Sequence, residues 1–275
     1  MNFILRPQDA FPFQDYLTRW QLTPDGEPIV TSTSHLLPVL HDYSPAILKI
    51  ALVPEEKRGG GVMRWWNGNG AAKVRALEGD AVLLERATGG GSLAEMARDG
   101  RDDEACRIIC GVVSALHLPR QPPSPPVTPL TDWFRELTPA AAKHGGILTL
   151  CAETAWELLA HPQDERVLHG DIHHGNILDF GKLGWRAIDP KGLRGERGFD
   201  YANLFCNPDG EMATTPGRVA RRADVVSAAS GLERRRLLLW VLAWAGLSAV
   251  WMLSDGEAPD HALAAAVQAA AELDL

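Results

Sequence analysis

The stretch VLHGDIHHGNILDFGKLGWRAIDP, residues 167–190, decides the fold. It contains Asp171, Asn176 and Asp189, separated by five and then by thirteen positions. Carboxylate and amide oxygens are the ligands that a hard divalent cation such as Mg²⁺ prefers. We predict a short strand, a loop that carries Asp171, and a hairpin whose return places Asp189 beside Asn176.

This spacing is typical of a phosphoryl-transfer site of the kinase type. In such a site one carboxylate orients the attacking hydroxyl, while the amide and the second carboxylate hold Mg²⁺ against the phosphates of ATP. We therefore predict Asp171 as the catalytic residue and Asn176 and Asp189 as the metal ligands. The alternative for Asp189 is a turn cap before Pro190.

The triplet Asp179-Phe180-Gly181 has the letters of the metal-binding triplet of protein kinases, but it begins only three residues after Asn176. A hairpin cannot fold back between two ligands over so few residues. We interpret the triplet as turn chemistry, with Gly184 closing the hairpin.

Composition excludes several classes of protein. The chain has 275 residues, 45% of them hydrophobic and 23% charged, as in an ordinary globular protein of one large domain or two lobes. Its formal charge of −8 and the lack of a Lys/Arg cluster that reads as a nucleic-acid footprint predict no nucleic-acid partner. An acidic protein suits a cationic small molecule, although the charge alone supports little.

Location is predicted from the cysteines and the apolar segments. The four cysteines lack zinc-site spacing and are expected to be reduced thiols, and the N-terminus does not read as a signal peptide. Residues 237–253 are apolar, but at 17 residues they favour a buried core helix over a membrane span. We expect a cytoplasmic protein with no membrane partner, and the oligomeric state stays open.

The order of elements predicts an α+β chain with a two-lobed, kinase-like fold. Residues 1–88 form a β-rich nucleotide-binding lobe and residues 89–275 a helical lobe with the catalytic loop and substrate cleft. The predicted strands cover 26–31, 36–40, 46–53, 71–77 and 81–87, and a helix covers 54–67. The predicted helices of the second lobe cover 92–98, 102–118, 130–138, 147–160, 199–205, 231–254 and 259–273.

Lys49 stands alone in the apolar strand run Ala46–Ile50. A buried ammonium is costly unless it is paired, so we expect an anionic partner on the following helix. Glu55 and Glu56 are the candidates, and we favour Glu56. The alternative is that Lys49 lies on an exposed strand face.

The nucleotide site needs a phosphate loop and an adenine edge. The run Thr31–His35 lies between two predicted strands, and the hydroxyls and amides of Ser32, Thr33 and Ser34 either cover the phosphates or form only a polar turn. By position alone, backbone groups of Glu85 and Ala87 would meet the adenine.

These motifs resemble the aminoglycoside phosphotransferase superfamily over roughly residues 25–255. The runs that carry the resemblance are HGDIHHGNIL, AIDPKGLRGERGFDYANLF, ILKI and LLERA. HGDxHxxN alone would also admit kinases of the choline, fructosamine or homoserine type. The paired His173 and His174, together with IDPxGLxGE, favour the streptomycin 6-kinase group, the aminoglycoside/hydroxyurea resistance kinases.

The resemblance implies transfer of the γ-phosphoryl group of ATP, with Mg²⁺, to a hydroxyl of a cationic aminoglycoside, the 6-hydroxyl of streptomycin. By the resemblance, Lys49 binds the α- and β-phosphates and Glu56 holds Lys49. His169 and Asp200 brace the loop of Asp171. The roles of His173 and His174 stay open.

Two points remain: the glycines in the helix that carries Glu56 depart from the family pattern, and the carboxylates that bind the substrate are not identified. Three glycines at 59–61 weaken the helix that carries Glu56, by about 1 kcal/mol each relative to alanine. A guanidinium-bearing substrate needs carboxylates, for which the sequence offers Glu153, Glu157, Glu196, Asp209 and Glu211.

Two alternative functions are kept. The first is a kinase of another small hydroxyl compound, or of hydroxyurea, on the same fold. The second is a catalytically inactive nucleotide-binding protein, which the intact Asp171, Asn176, Asp189 and Lys49 disfavour.

Overall fold

The structure is a computed structural model that describes residues 12–121 and 123–275. The expectation about a signal peptide falls mostly on residues 1–11 and lies outside the described residues. The described part has an antiparallel sheet at its N-terminal end and a helical C-terminal part, as the α+β prediction requires.

The elements follow one another in this order. The strands are β1 (Thr23–Pro24), β2 (Ile29–Val30), β3 (Ser34–His41), β4 (Ser44–Ala51), β5 (Val74–Glu78), β6 (Ala81–Glu85), β7 (Thr128–Pro129), β8 (Glu165–Leu168), β9 (Ile177–Asp179), β10 (Trp185–Ala187) and β11 (Leu193–Glu196). The α-helices are α1 (Gln14–Arg19), α2 (Pro54–Trp66), α3 (Leu93–Met96), α4 (Asp102–Leu116), α5 (Leu130–Trp133), α6 (Leu137–His144), α7 (Ile147–Ala160), α8 (Phe199–Ala202), α9 (Gly210–Ala213), α10 (Arg218–Ser230), α11 (Arg234–Ser254) and α12 (Asp260–Glu272).

The N-terminal sheet has the strand order β1-β3-β4-β6-β5, with β2 paired to β3. In its central strand β4, Lys49 lies opposite Leu36 on β3 and Val82 on β6. Successive side chains of a strand point to opposite faces. Leu48 and Ile50 therefore enter the small core with α1, while Lys49 faces α2.

Helix α2 begins at Pro54, whose fixed φ and missing N–H suit the first helical position. Glu55 and Glu56 occupy the first turn, where the helix dipole favours negative charge. The helix ends at Asn67 in a left-handed conformation. Its buried face joins the large core of the C-terminal part through Val62, Met63 and Trp66.

Helix α11 is the central element of the C-terminal part and packs against α7, α8 and α12. By length and composition it could cross a membrane, but 67% of its most apolar window is buried within the fold. Burial on several sides explains why its apolar residues show no single face. The predicted core helix is confirmed as a buried element.

The structure differs from the predicted elements in places. The helix predicted at 130–138 is broken into α5 and α6, and the one predicted at 92–98 is only α3, followed by a wide turn with Gly100 at a φ of 82° before α4. Helix α10 was not predicted. Its buried face carries Arg218 and Arg222, which bind Asp102 of α4, so the apolar period that announces a helix is missing.

The packing of α11 on α7 depends on Gly246, because a Cβ there would lie under 3.0 Å from Cys151. We expect Gly246→Ala to lower the free energy of unfolding by about 1–3 kcal/mol through overpacking. Gly111→Ala in the exposed face of α4 is the control, since its Cβ would meet nothing within 4 Å; it should raise stability by about 0.5–1 kcal/mol. Urea unfolding of both variants measures the difference, and equal stabilisation by both would contradict the packing.

Candidate active site

The loop that carries Asp171 is held in place by hydrogen bonds from its backbone to the side chain of Asp200. This carboxylate, 1% exposed, accepts hydrogen bonds from the backbone N–H of His169 at 2.9 Å and of Gly170 at 2.7 Å. It also contacts the Nε2 atom of His117 at 2.8 Å. A buried carboxylate with three partners is well satisfied, so it fixes the loop backbone. The contacts are those of the predicted brace.

His169 ties the same loop to the end of the hairpin. Its Nε2–H donates to the carbonyl of Ile188 at 2.8 Å, and its Nδ1 accepts from the N–H of Asp171 at 3.2 Å. The ring is stacked on Trp66 of α2, with centroids 6.1 Å apart. Complete burial lowers the pKa of His169, so the ring is neutral and this donor–acceptor pattern is stable.

Four neighbours surround the Asp171 carboxylate. The Nδ2 of Asn176 donates to the main-chain oxygen of Asp171 at 2.8 Å and to Asp171 Oδ2 at 3.3 Å. The Nδ2 of Asn203 donates to Asp171 Oδ1 at 2.9 Å. Lys191 Nζ lies 3.8 Å from Oδ2, and His173 Nε2 lies 4.0 Å from Oδ1. Hydrogen bonds thus fix the orientation of the Asp171 carboxylate, which remains partly open to the cleft.

Asn203 and Lys191 were not predicted as site residues. Asn203 follows Asp200 by three positions, so the short helix that braces the loop also presents an amide to Asp171. A polar residue one helical turn after a buried Asp was the available signal. Lys191 follows Asp189-Pro190 and could have been found as a charged residue two positions from a predicted ligand.

The hairpin places the two predicted metal ligands at its open end. Ile177 pairs with Ala187, and the N–H of Ile188 donates to the carbonyl of Asn176 at 2.9 Å, so Ile188 lies opposite Asn176 and Asp189 is the next residue along the chain. Asp189 has a φ of 65° and is not a simple turn cap, since its side chain contacts Lys49.

The triplet Asp179-Phe180-Gly181 forms part of the hairpin turn, as predicted. Asp179 Oδ1 accepts from the N–H of Gly181 at 2.8 Å, and the N–H of Phe180 donates to the carbonyl of Gly184. Asp179 Oδ2 also accepts from the N–H of Gly91 at 3.0 Å. The hairpin is thereby attached to the connector between the two parts of the chain.

Lys49 is buried, and its Nζ contacts both Glu56 Oε2 and Asp189 Oδ1. The predicted partner on α2 is therefore present, and the second carboxylate comes from the hairpin. Burial raises the pKa of Asp189, but the ammonium of Lys49 outweighs it and the pKa lies below its ordinary value. Asp189 is charged at neutral pH, as a cation ligand must be.

Gly59 of α2 permits a close contact between the helix and the hairpin segment, which was not predicted. A Cβ on Gly59 would lie under 3.0 Å from the carbonyl oxygen of Pro190, which is backbone and cannot turn aside. A glycine here lets α2 approach the segment Asp189–Lys191 closely. Gly59 therefore has a second role beside its expected cost to the helix, because the close approach keeps the first turn of α2, with Glu56, near Lys49.

These residues fit a nucleotide with a divalent cation. The Nδ2 of Asn176 is engaged by Asp171, which turns the amide oxygen, the atom that binds cations, away from that carboxylate. Asn176 and Asp189 would supply two oxygens, and phosphates and waters would supply the others. Lys49 would stand beside them as the phosphate-binding cation.

The predicted phosphate loop is a tight turn between β2 and β3. Thr31 Oγ1 accepts from the N–H of Ser34 at 3.0 Å and of Thr33 at 3.3 Å, and Ser34 is buried. These contacts give Ser34 a structural role. Ser32 is exposed at the tip and Thr33 is half-buried beside it, and the contact of both with phosphates stays a prediction.

The predicted adenine edge lies where the sheet meets the connector. The N–H of Glu85 donates to the carbonyl of Lys73 at 2.9 Å, and the Glu85 carboxylate accepts from the N–H of Lys73 and contacts Arg186 of the hairpin. Ala87 is half-buried just beyond. The ion pair links the sheet to the hairpin of β9 and β10, while adenine binding by Glu85 and Ala87 stays a prediction.

A cleft of about 1110 Å³ opens beside Asp171 and differs from the predicted one. Its acidic lining consists, besides Asp171, of Glu55, Asp132, Glu136 and Asp255, and three tryptophans join them: Trp133, Trp244 and Trp251. The cations Arg58, Arg135 and Lys191 also line the cleft, so its five carboxylates leave a net negative charge of two.

None of the five carboxylates that the sequence offered lines this cleft. Glu196 is buried and binds Arg236 and Trp240, and Asp209 caps α9. Glu153 and Glu157 line a separate cavity of about 960 Å³ between α6, α7 and α11.

The two neighbouring histidines have different surroundings. His173 lines the cleft, and its Nδ1 accepts from the N–H of Gly175 at 3.1 Å. His174 is buried, and its ring nitrogens have no hydrogen-bond partner among the described residues. Burial lowers the pKa of His174 to about 3, so its ring is neutral. His174 is thus a packed ring and His173 faces the cleft, while the roles of both stay open.

Comparison with known sequences gives consistent results. A family model described as aminoglycoside/hydroxyurea antibiotic resistance kinase matches residues 19–256. The chain is 49% identical to a streptomycin 3''-kinase of Klebsiella pneumoniae, with 87% of this chain and 92% of that one covered. It is 32% identical to a streptomycin 6-kinase of Streptomyces glaucescens, covering 89% and 83%, and 33% identical to a hydroxyurea phosphotransferase of Kitasatospora aureofaciens, covering 88% and 73%.

Comparison with solved structures shows the fold. An aminoglycoside phosphotransferase in a ternary complex with ADP and hygromycin B superposes with a TM-score of 0.63 at 11% identity, covering 95% of this chain and 97% of that one. An ethanolamine kinase of Plasmodium vivax gives 0.62 at 14% identity, covering 98% and 91%. The predicted protein-kinase-like fold is confirmed, while the boundary at residue 88 stays a prediction.

The contact between Gly59 and Pro190 can be tested within α2. Gly59→Ala should push the helix away from the hairpin segment and displace Glu56, and because a shift of about 1 Å near the chemistry costs about 100-fold, we expect kcat/KM to fall at least about 10-fold. Steady-state kinetics with ATP as the varied substrate measures this.

Gly61→Ala is the matched control on the same helix. Its Cβ would make only an ordinary contact, 3.8 Å from Pro125. This variant should keep the parent kcat/KM. An active Gly59→Ala enzyme would show that the close approach is not needed.

Proposed function

The chain belongs to the aminoglycoside/hydroxyurea antibiotic resistance kinase family, and on that premise we propose that it transfers the γ-phosphoryl group of ATP to a hydroxyl of streptomycin. Membership makes it a phosphotransferase that acts on hydroxyl groups. The resemblance drawn from HGDIHHGNIL and its companion motifs is thereby confirmed for the streptomycin kinase group. The observation that carries the substrate proposal is the acidic, tryptophan-lined cleft that ends at Asp171.

The proposed reaction begins with a hydroxyl of the substrate hydrogen-bonded to the Asp171 carboxylate. Asn203 and Asn176 hold the two carboxylate oxygens, so the carboxylate is oriented before the substrate arrives. The hydroxyl oxygen attacks the γ-phosphorus, the bond to the β–γ bridging oxygen breaks, and ADP departs with that electron pair. The hydroxyl proton passes to Asp171.

The nucleotide side is formed by Lys49, Glu56, Asn176 and Asp189. Lys49 would bind the α- and β-phosphates, with Glu56 holding the ammonium in place. Mg²⁺, when bound by Asn176 and Asp189, would supply positive charge to the phosphate oxygens. Most of the rate would come from positioning and charge neutralisation.

The cleft suits a bulky cationic acceptor. Glu136, Asp132 and Asp255 lie at its exposed rim, where carboxylates attract a guanidinium group before it is desolvated. Trp244 and Trp251 of α11 add aromatic faces, on which a planar guanidinium can stack. A site of this kind favours streptomycin over a small neutral alcohol.

The hydroxyl that is phosphorylated is a separate question. The sequence motifs predicted the 6-hydroxyl of streptomycin. The relative at 49% identity is a 3''-kinase, whereas the 6-kinase of Streptomyces glaucescens is 32% identical. The higher identity favours the 3''-hydroxyl, and the 6-hydroxyl is the alternative.

A second candidate acceptor is hydroxyurea, which is favoured by the 33% identity to a hydroxyurea phosphotransferase. The size of the cleft and its acidic rim argue for the larger, charged acceptor. An inactive nucleotide-binding protein is disfavoured because Lys49, Asp171, Asn176 and Asp189 lie together in one site.

The acidic rim gives a direct test of where the substrate lies. We expect the double variant Glu136→Gln, Asp255→Asn to raise KM for streptomycin about 3- to 20-fold, because each exposed charge contact contributes up to about 1 kcal/mol. The kcat should stay near that of the parent, and the effect should shrink as salt is added.

The matched control is Glu153→Gln, Glu157→Gln, which removes two carboxylates from the separate cavity. It should leave KM for streptomycin unchanged. If this pair raised KM instead, the acceptor would lie in the other cavity and the assignment of the cleft would be wrong.

Mass spectrometry tests the reaction itself. The protein with MgATP should add one phosphate to streptomycin, and Asp171→Asn should lower the rate at least about 1000-fold, by loss of the group that orients and accepts the proton. Phosphorus-coupled NMR of the product assigns the 3''- or the 6-hydroxyl. Hydroxyurea and other aminoglycosides complete the panel. A product from one of these and none from streptomycin would overturn the substrate but not the kinase chemistry.

A further inference from the structure

Two neighbouring residues of α2 each hold a different lysine. Glu56 contacts Lys49 on the nucleotide side, and Glu55 Oε1 lies 3.2 Å from Lys191 Nζ on the acceptor side. The segment Asp189–Lys191 runs between the two pairs. The mechanism above uses only the first pair, so the second has no assigned role.

Lys191 is held firmly in a position next to the chemistry. Its N–H donates to the carbonyl of His169 at 2.7 Å, and its Cβ packs over Gly170, where any added Cβ would lie 3.1 Å away. Its Nζ lies 3.8 Å from Asp171 Oδ2. Lys191 and Glu55 both line the acceptor cleft.

The position of the ammonium determines what it can reach. The acceptor oxygen must lie within hydrogen-bond distance of Asp171 when it attacks, and the phosphorus must lie in line beyond it, towards Asn176 and Asp189. Lys191 is anchored between these groups, because it contacts Asp171 and follows Asp189 by two residues. Lys49 is occupied on the other side of the segment by Glu56 and Asp189.

We propose that Lys191 is a further catalytic residue, whose ammonium binds an oxygen of the γ-phosphoryl group during transfer, and that Glu55 is the residue that positions it. This proposal rests on the proposed kinase function. The acceptor oxygen forms its bond to phosphorus, the bridging oxygen leaves with ADP, and the proton goes to Asp171. Lys191 exchanges no proton and contributes only charge and a hydrogen bond.

A merely structural role would give a different result. The Glu55 and Lys191 side chains are 31% and 22% exposed, and an ion pair that solvent still reaches stabilises a fold little. Removing the ammonium should therefore lower the melting temperature by at most a few degrees, too little to unfold the protein at the assay temperature. A cation that contacts only the transferring phosphoryl group should change kcat far more than the affinity for ATP.

The first experiment compares Lys191→Met with the parent enzyme. We expect kcat to fall about 100- to 1000-fold, the range for loss of one preorganised donor to a developing charge. The Kd for MgATP should stay within about threefold, since Lys49 serves the nucleotide. Lys143→Met, on the exposed face of α6, is the control and should keep the parent kcat.

Chemical rescue then separates charge from shape. Lys191→Cys treated with 2-bromoethylamine gains an ammonium at nearly the lysine position, and at least about 10-fold of the lost kcat should return. The native thiols do not interfere, because all four are buried and burial raises the pKa of Cys110, Cys151 and Cys206 to about 12. Mass spectrometry counts the added groups.

Substitutions of Glu55 and Glu56 should change different kinetic constants in the same assay. Glu55→Gln should lower kcat and leave KM for ATP unchanged, whereas Glu56→Gln should raise KM for ATP. Variant and parent are compared with whichever acceptor the parent phosphorylates, or through slow hydrolysis of MgATP if it phosphorylates none, so a wrong substrate does not decide this test. A kcat within threefold of the parent in Lys191→Met, or no recovery after complete aminoethylation, would overturn the proposal.

Discussion

The close approach of helix α2 to the segment Asp189–Lys191 is the constraint on which the rest of the active site depends. Gly59 permits it, because a side chain there would collide with the Pro190 carbonyl. At this distance the first turn of α2 reaches both sides of the segment, with Glu56 at Lys49 and Glu55 at Lys191. The charges on the two sides of the segment, at Lys49 and at Lys191, are thus set by one helix.

A second set of buried contacts, centred on Asp200, fixes the loop that carries Asp171. Asp200 receives the backbone N–H groups of His169 and Gly170, and three residues later Asn203 donates to Asp171. Because one short helical segment supplies both contacts, the Asp171 carboxylate is oriented relative to the backbone that carries it. Buried polar groups with full sets of partners rigidify a site in this way.

Much of the site could be predicted because its residues are close in sequence. Asp171, Asn176 and Asp189 lie within one loop and hairpin, and local turn chemistry decides their geometry. Residues that come together only when helices pack could not be predicted, and the acceptor carboxylates are the clearest case. Helix α10 escaped prediction for a related reason, since the buried face includes Arg222 and its partner Asp102 lies 120 positions away.

The most direct measurement is a crystal structure of the protein with Mg²⁺, a non-hydrolysable ATP analogue and streptomycin. The structure predicts Lys191 Nζ at about 2.7–3.2 Å from a γ-phosphate oxygen, with Glu55 still at Lys191 and Glu56 still at Lys49. A γ-phosphate held by Lys49 alone, with Lys191 turned away from it and towards solvent, would contradict the arrangement in which α2 sets both charges.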